Sequence, residues 1–251
     1  MKNSSLAAVS FGLALSLQPL ASVHAAELKV LAGGSMTVPL KELGPQFERA
    51  TGHKVEFVFA GTPELIKLAT FAPFDAAVVP VDVFQNADAK AKFVVGPTID
   101  IARVGFGVAV KAGALKPDIS TPEKLKQVLL NAQSITFLPV SAAGAYILKV
   151  FDRLGIAEQM KAKTKAQAAT SAIGQAVANG DAEFGVFLTN VLVAPGVELV
   201  GPFPGDLQND LVFTSAVAAG SKQAQAAKAF IDFLRTPEAA AVINAKGMKA
   251  G

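Results

Sequence analysis

Apolar residues along this chain recur in two rhythms. Short runs rich in Val, Phe and Ile predict strands over LKVLA (28–32), KVEFVFA (54–60), FDAAVVP (74–80), RVGFGVAVK (103–111), SITFLPV (134–140), AEFGVFL (182–188) and LVFTSAVAA (211–219). Between them, apolar positions spaced three and four apart predict helices over TVPLKELGPQFERATG, PELIKLATF, VDVFQNADAKAKF, TPEKLKQVLLNA, AAGAYILKVFDRLG, SAIGQAVANG, KQAQAAKAFIDFLR and PEAAAVINAKG. Strand followed by helix, repeated, predicts an α/β fold of mainly parallel sheets flanked by helices. The two long strands at 103–111 and 211–219 are each followed by a change of pattern. They predict two lobes: residues 26–105 with 207–251, and an inserted lobe over 106–206. The segment GVELVGPFPGDLQ, punctuated by Gly201-Pro202 and Pro204-Gly205, reads as a loop returning the chain to the first lobe.

Local punctuation agrees with these elements. Thr121 before Pro122-Glu123 and Thr236 before Pro237-Glu238 each place a capping hydroxyl ahead of a proline in the first turn. Gly155 and Gly247 stand where helices are expected to stop. Leu43 and Phe47 share one helix face, with Gly44-Pro45 between them as a kink or a fresh start.

Residues 1–25 carry a basic start at Lys2, the apolar stretch FGLALSLQPLA and a small-residue ending at Ala25. This is the pattern of a secretory signal peptide cleaved after Ala25, and it predicts a periplasmic product. The chain has no cysteine, so an exported fold must rest on its hydrophobic core rather than on disulfides. The formal net charge of +3 offers no electrostatic footprint for nucleic acid. A monomer is expected. His53 is the only histidine beyond the leader, and the turn ATGHKV predicts that it is exposed. One histidine and no cysteine furnish neither a histidine-rich metal site nor a Cys/His nucleophile. No dinucleotide fingerprint or P-loop is present, so any importer ATPase would be another polypeptide; no cofactor and no metal are expected.

Candidate chemistry starts at KVLAGGSMTVP (29–39), where the first strand ends on two glycines and Ser35 stands at a helix mouth. Free first-turn amides and a hydroxyl at one spot suit a small anionic ligand. Thr62 before Pro63 is placed in the same way after the second strand: it serves either as a cap or as a ligand hydroxyl. Arg103 begins the first crossing strand. There it forms a surface or interlobe ion pair or grips a carboxylate through parallel hydrogen bonds, and the second role would favour polycarboxylates.

LKVLAGGSMTVPLKELGPQFERATGHKVEFVFAGTPELI resembles the opening of the periplasmic molybdate-binding proteins of ABC importers, as do ISTPEKLKQVLLNAQSITFLPVSAAGAYILKVFDRLGI and AKAFIDFLRTPEAAAVINAKGM. The resemblance runs in order over essentially the whole chain after the leader. It implies the two-lobed, hinge-closing type II solute-binding fold, an inner-membrane ABC permease as partner, and a ligand held by hydroxyls and backbone amides. By the same resemblance Ser35 and Thr62 match ligand hydroxyls, and Ser141-Ala142-Ala143-Gly144 matches a helix mouth giving the amides of Ala143 and Gly144. Leu188 stands where the family has a tyrosine hydroxyl. The segments GTPELI, DIARVGFGVAVKAGA and LVGPFPGDLQN resemble a branch of the superfamily that includes a periplasmic aconitate isomerase. That branch implies an alternative activity, with Arg103 as substrate clamp and a base such as Glu64, ahead of Asp75 and Asp82, to move a proton between carbons.

Overall fold

A computed structural model describes residues 25–251, so the expected leader, residues 1–24, lies outside the described part. The chain opens with β1 (Glu27–Gly33), turns through a 3-10 segment at Gly34–Met36 and enters α1 (Thr37–Thr51). Then come β2 (Lys54–Ala60), α2 (Thr62–Phe71), β3 (Ala76–Pro80) and α3 (Ala87–Lys90). The long β4 (Ile99–Lys111) precedes α4 (Pro122–Asn131), β5 (Ile135–Phe137), α5 (Ala142–Arg153), α6 (Ala157–Lys163), β6 (Thr164–Ala166) and α7 (Thr170–Asn179). The rest of the chain forms β7 (Phe184–Leu188), α8 (Thr189–Leu192), β8 (Val197–Pro202), β9 (Asp210–Val217), α9 (Ala224–Phe233), α10 (Pro237–Ala245) and β10 (Lys249–Ala250).

The α/β class follows from the pairing. β1 runs parallel to β2 and β3, and β5 runs parallel to β6 and β7. Antiparallel β9 closes the first group against β3, and β4 ties the two groups together. Over Ile99–Gly105, β4 pairs with β9; from Phe106 onward it pairs with β7 and β8. One thirteen-residue strand thus serves two sheets, because its apolar run is long enough to supply a ladder to each. At the switch, Gln208 imitates a peptide group. Its Oε1 accepts from the Phe106 N–H at 2.9 Å, and its Nε2 donates to the Phe106 carbonyl at 2.9 Å.

The core straddles this shared strand. Val104, Phe106 and Val108 of β4 are buried beside Phe187 and Phe213. Fully burying a side chain of that size contributes about 1.5–3 kcal/mol, so the junction is held mainly by apolar contact. Tyr146 of α5 lies against it, its ring centroid 4.6 Å from that of Phe106 and its hydroxyl donating to the Leu207 carbonyl at 3.0 Å. Burial pushes the Tyr146 phenol above its ordinary pKa.

Several sequence expectations need correction. Gly44-Pro45 does not restart α1, which is continuous with Pro45 inside it. The predicted helix over 81–93 shrinks to a 3-10 turn at Val81–Gln85 and the four residues of α3, because Asn86 caps at that point and accepts from the Ala89 N–H. The segment read as a loop contains β8, whose Val197 and Leu199 add an edge to β4; the Gly and Pro there end a strand rather than replace one. His53 is 8% exposed rather than open to solvent. It sits beside the start of β1, and its Nδ1 accepts from the Ala26 N–H at 3.1 Å. Thr121 and Thr236 cap as expected, accepting from the N–H groups of Lys124 and Ala239.

Candidate functional site

The carboxyl ends of β1 and β2 face residues that follow β5, β6 and β7 across a cleft of about 520 Å³. Strand ends of this kind are where ligands enter open α/β sheets. Gly34, Ser35, Gly61 and Thr62 line one wall, and Ser141, Ala143, Thr170 and Asn190 line the other. Apolar surface fills much of the remainder, with Phe59, Leu138, Phe187, Leu211 and Phe213 among the lining residues. The walls approach closely: a Cβ on Gly34 would meet Thr170 Oγ1 at 3.0 Å, and one on Gly61 would meet the Val140 carbonyl at 3.2 Å.

Ser35 is 7% exposed, and its hydroxyl has no protein partner among the described residues. Its carbonyl is engaged, accepting from Asn190 Nδ2 at 2.9 Å. Thr62 is the first residue of α2 rather than its cap; Gly61 holds the cap position without a side-chain bond. The Thr62 hydroxyl instead accepts from the Ala142 N–H at 2.9 Å, reaching across the cleft to the start of α5. A hydroxyl that accepts still has a proton to give. Accepting from an amide polarises it, so Thr62 relays the donor strength of the α5 terminus into the cleft.

The amides of α5 are largely committed. Ala142 donates to Thr62, Gly144 donates to Ser141 Oγ at 2.9 Å, and Ala145 donates to the Ser141 carbonyl. Of the expected pair, Ala143 therefore retains a free N–H in the cleft, whereas that of Gly144 is consumed by the cap. Ser141 has spent its own hydroxyl proton on the Leu138 carbonyl. At the start of α7, Ala169 caps without a side-chain bond, leaving the amides and hydroxyls of Thr170 and Ser171 open. The positive ends of α2, α5 and α7 and the 3-10 turn at Ser35 thus share one hollow, which favours negative charge.

Ser35, Thr62 and Ala143 are brought together; Arg103 and Glu64 are not. Arg103 projects between buried Ala102 and Val104 to the outer side of β4, 46% exposed and paired with Asp100 at 2.6 Å. Glu64 is exposed on α2 and faces Lys67 at 3.7 Å. Asp75 accepts from Ser221 Oγ and the Lys29 N–H, away from the cleft. Asn190, Thr170 and Ser171 were missed as site residues. For the last two a signal existed, two adjacent hydroxyl residues at the head of the helix predicted over SAIGQAVANG. Asn190 gave none, since a lone Asn after a strand carries no pattern. Its Oδ1 is buried without a partner.

A family model described as bacterial extracellular solute-binding protein matches residues 28–249. An aconitate isomerase of a Pseudomonas species is 30% identical over 238 residues, covering 92% of this chain and 90% of that one. The molybdate-binding protein ModA of Azotobacter vinelandii is 28% identical over 233 residues, covering 90% and 91%. Among solved structures, the periplasmic molybdate-binding protein of Azotobacter vinelandii superposes with a TM-score of 0.73 at 19% identity, covering 88% of this chain and 98% of that one. The sulfate-binding protein SubI of Mycobacterium tuberculosis gives 0.72 at 16% identity, covering 90% and 87%.

Proposed function

Because the chain belongs to the bacterial extracellular solute-binding protein family, we propose that it is exported to the periplasm, captures a small carboxylate or oxyanion and delivers it to an ABC permease. The capture takes place between two lobes, residues 26–105 with 207–251 and residues 106–206, hinged where β4 changes partners and β9 begins. Ser35 and Thr62 grip from one lobe, Ala143 with Thr170 and Ser171 from the other. One observation carries this reading: free amides and hydroxyls at several helix N-termini open into a single cleft bounded by both sheets. A ligand that touches both walls only when they are close draws the population toward closure.

Within that class an organic acid fits better than a bare tetrahedral oxyanion. A cleft near 520 Å³ walled by Phe59, Phe187, Phe213 and Leu211 offers apolar contact to a carbon skeleton, which molybdate lacks. Leu188, buried in β7, supplies no hydroxyl where the molybdate binders were expected to have one. The test is a thermal-shift panel of molybdate, tungstate, sulfate and di- and tricarboxylates on the processed protein. Ligands of the native state raise the melting temperature by mass action. Organic acids should give the larger shifts, and Ser35→Ala should reduce them; no shift with any anion would remove the reading.

The likeness to an aconitate isomerase over 92% of the chain supports a second reading, a cofactor-free proton shift on the same bound acid. That chemistry requires a group to take a proton from one carbon and return one to another. Glu64 points elsewhere, and among the described residues the cleft lining holds no carboxylate or imidazole. Incubation with trans-aconitate in deuterated buffer separates the readings: deuterium incorporation or cis product establishes an enzyme, and unchanged substrate with a thermal shift establishes a binder.

A further inference from the structure

Among the described residues lining the cleft, one side chain is ionisable: Lys41. It stands on α1 with Thr37 and Val38, which also line the cleft, and it makes no ion pair among the described residues. Its neighbour Glu42 is held by Lys246 at 2.7 Å, and Arg103, the cation expected to grip substrate, is spent on Asp100 outside the cleft. The cleft therefore has two electrostatically distinct regions. The inner one, around Ser35, is built of neutral donors at helix ends; the outer one carries a formal positive charge.

We propose that Lys41 binds a second carboxylate of the ligand, so that the solute is a di- or tricarboxylate held by the helix mouths at one end and by the Lys41 ammonium at the other. This rests on the anion-capturing reading of the cleft and narrows it to a ligand class. Lys41 lies six residues beyond Ser35; the four from Thr37 run along α1, about 6 Å at 1.5 Å per residue, and the 3-10 turn adds the remainder. Side chains on a helix lean toward its N-terminus, so the Lys41 stem reaches back over the mouth it must serve. The lysine stem covers part of that interval itself, and two carboxylates joined by a short carbon chain bridge the rest, with the chain lying on Phe59 and the other apolar walls. A single tetrahedral oxyanion seated among the amides touches only the inner region. Lysine suits the outer one, being a mobile point charge on a flexible stem that adapts to carboxylates of differing reach.

The experiment titrates wild type, Lys41→Met and Lys41→Arg with tricarballylate, a saturated tricarboxylate that no isomerase can turn over, and with tungstate and propionate, by calorimetry at two salt concentrations. Wild type should bind tricarballylate more tightly than propionate, with an affinity that falls as salt rises. Lys41→Met should weaken tricarballylate tenfold or more and flatten its salt dependence, leave the weaker probes within about twofold, and melt like wild type; Lys41→Arg should recover most of the loss. Equal affinity of Lys41→Met and wild type for tricarballylate, or an equal loss for tungstate, overturns the assignment while leaving anion capture intact. Failure of wild type to bind any of the three overturns the reading beneath it.

Discussion

The Ala142 N–H donates to Thr62 Oγ1 at 2.9 Å, so the first amide of α5 ends on a side chain rooted in the opposite wall of the cleft. This bond spans eighty residues of sequence and is buried. Thr62→Val keeps the shape but removes both acceptor and donor, stranding the amide at a cost of about 1–3 kcal/mol. Ligand affinity should fall tenfold or more, with a lower melting temperature, whereas Thr62→Ser should retain most of both. Calorimetry and thermal melts on the pair decide it: if valine matches serine in both, the hydroxyl is a bystander.

Asn190 makes the companion link, Nδ2 to the Ser35 carbonyl at 2.9 Å, from the short helix α8 that follows β7. It reaches backbone on the far wall, so under the proposed two-lobed reading it would bear on closure. Asn190→Ala should weaken the preference for the closed form without ligand, increasing the radius of gyration in solution scattering, and should weaken binding several-fold through the lost closure. Asn190→Asp should be worse, because it sets a carboxylate beside the Ser35 carbonyl within an anion site. Scattering curves of Asn190→Ala that overlay those of wild type, with and without ligand, would refute the latch.

Much of this arrangement was legible where the information is local. β2 runs over the predicted residues because apolar and β-branched positions mark it, and Thr121 and Thr236 cap where their neighbours said they should. Ser35 was readable from the glycine pair before it. Arg103 was not, since strand alternation says that neighbours point to opposite faces but not which face meets a cleft; Ala102 and Val104 took the inside. β6 was invisible because Thr164-Lys165-Ala166 is three polar or small residues at a sheet edge, fixed by pairing with β5 alone. Thr62 read as either a cap or a ligand hydroxyl, because capping and facing a cleft demand the same hydroxyl, and nothing in the sequence signalled that it would accept from Ala142 across the cleft.

Tyr146 supplies a clean pH prediction, since the chain has one tyrosine and no tryptophan. Burial raises its phenol, with the Asp206 charge adding to the shift and Arg153 opposing it. The absorbance change on phenolate formation should therefore centre above the ordinary value of about 10 in the folded protein. On unfolding, the phenol releases its proton more readily, so the contribution to stability is present below about pH 10 and is lost as pH rises through the folded value. Denaturant melts should lose stability above pH 10 more steeply for wild type than for Tyr146→Phe. That variant should already be about 1 kcal/mol less stable at neutral pH, having left the Leu207 carbonyl unpaired. A midpoint at or below 10 contradicts the burial argument.

Gly144 tests how tightly the α5 mouth is built. A Cβ there would lie 2.1 Å from the Leu138 carbonyl oxygen and 2.5 Å from that of Pro139, both backbone atoms that no rotamer change can move. The same Leu138 carbonyl accepts from Ser141 Oγ, which caps α5 at the Gly144 amide, so displacing it dismantles the cap as well as the packing. Gly144→Ala should therefore cost more than about 4 kcal/mol, at the severe end for a single substitution. For a chain of this length that lowers the melting temperature by roughly 8 °C or more. Gly220→Ala is the control, since a Cβ there meets nothing within 4 Å, and it should melt within a degree or two of wild type. Near-equal melting of the two variants would mean that the turn from Leu138 to Gly144 yields freely. In that case the fixed placement of Ala143, and its role as a preorganised donor, would have to be abandoned.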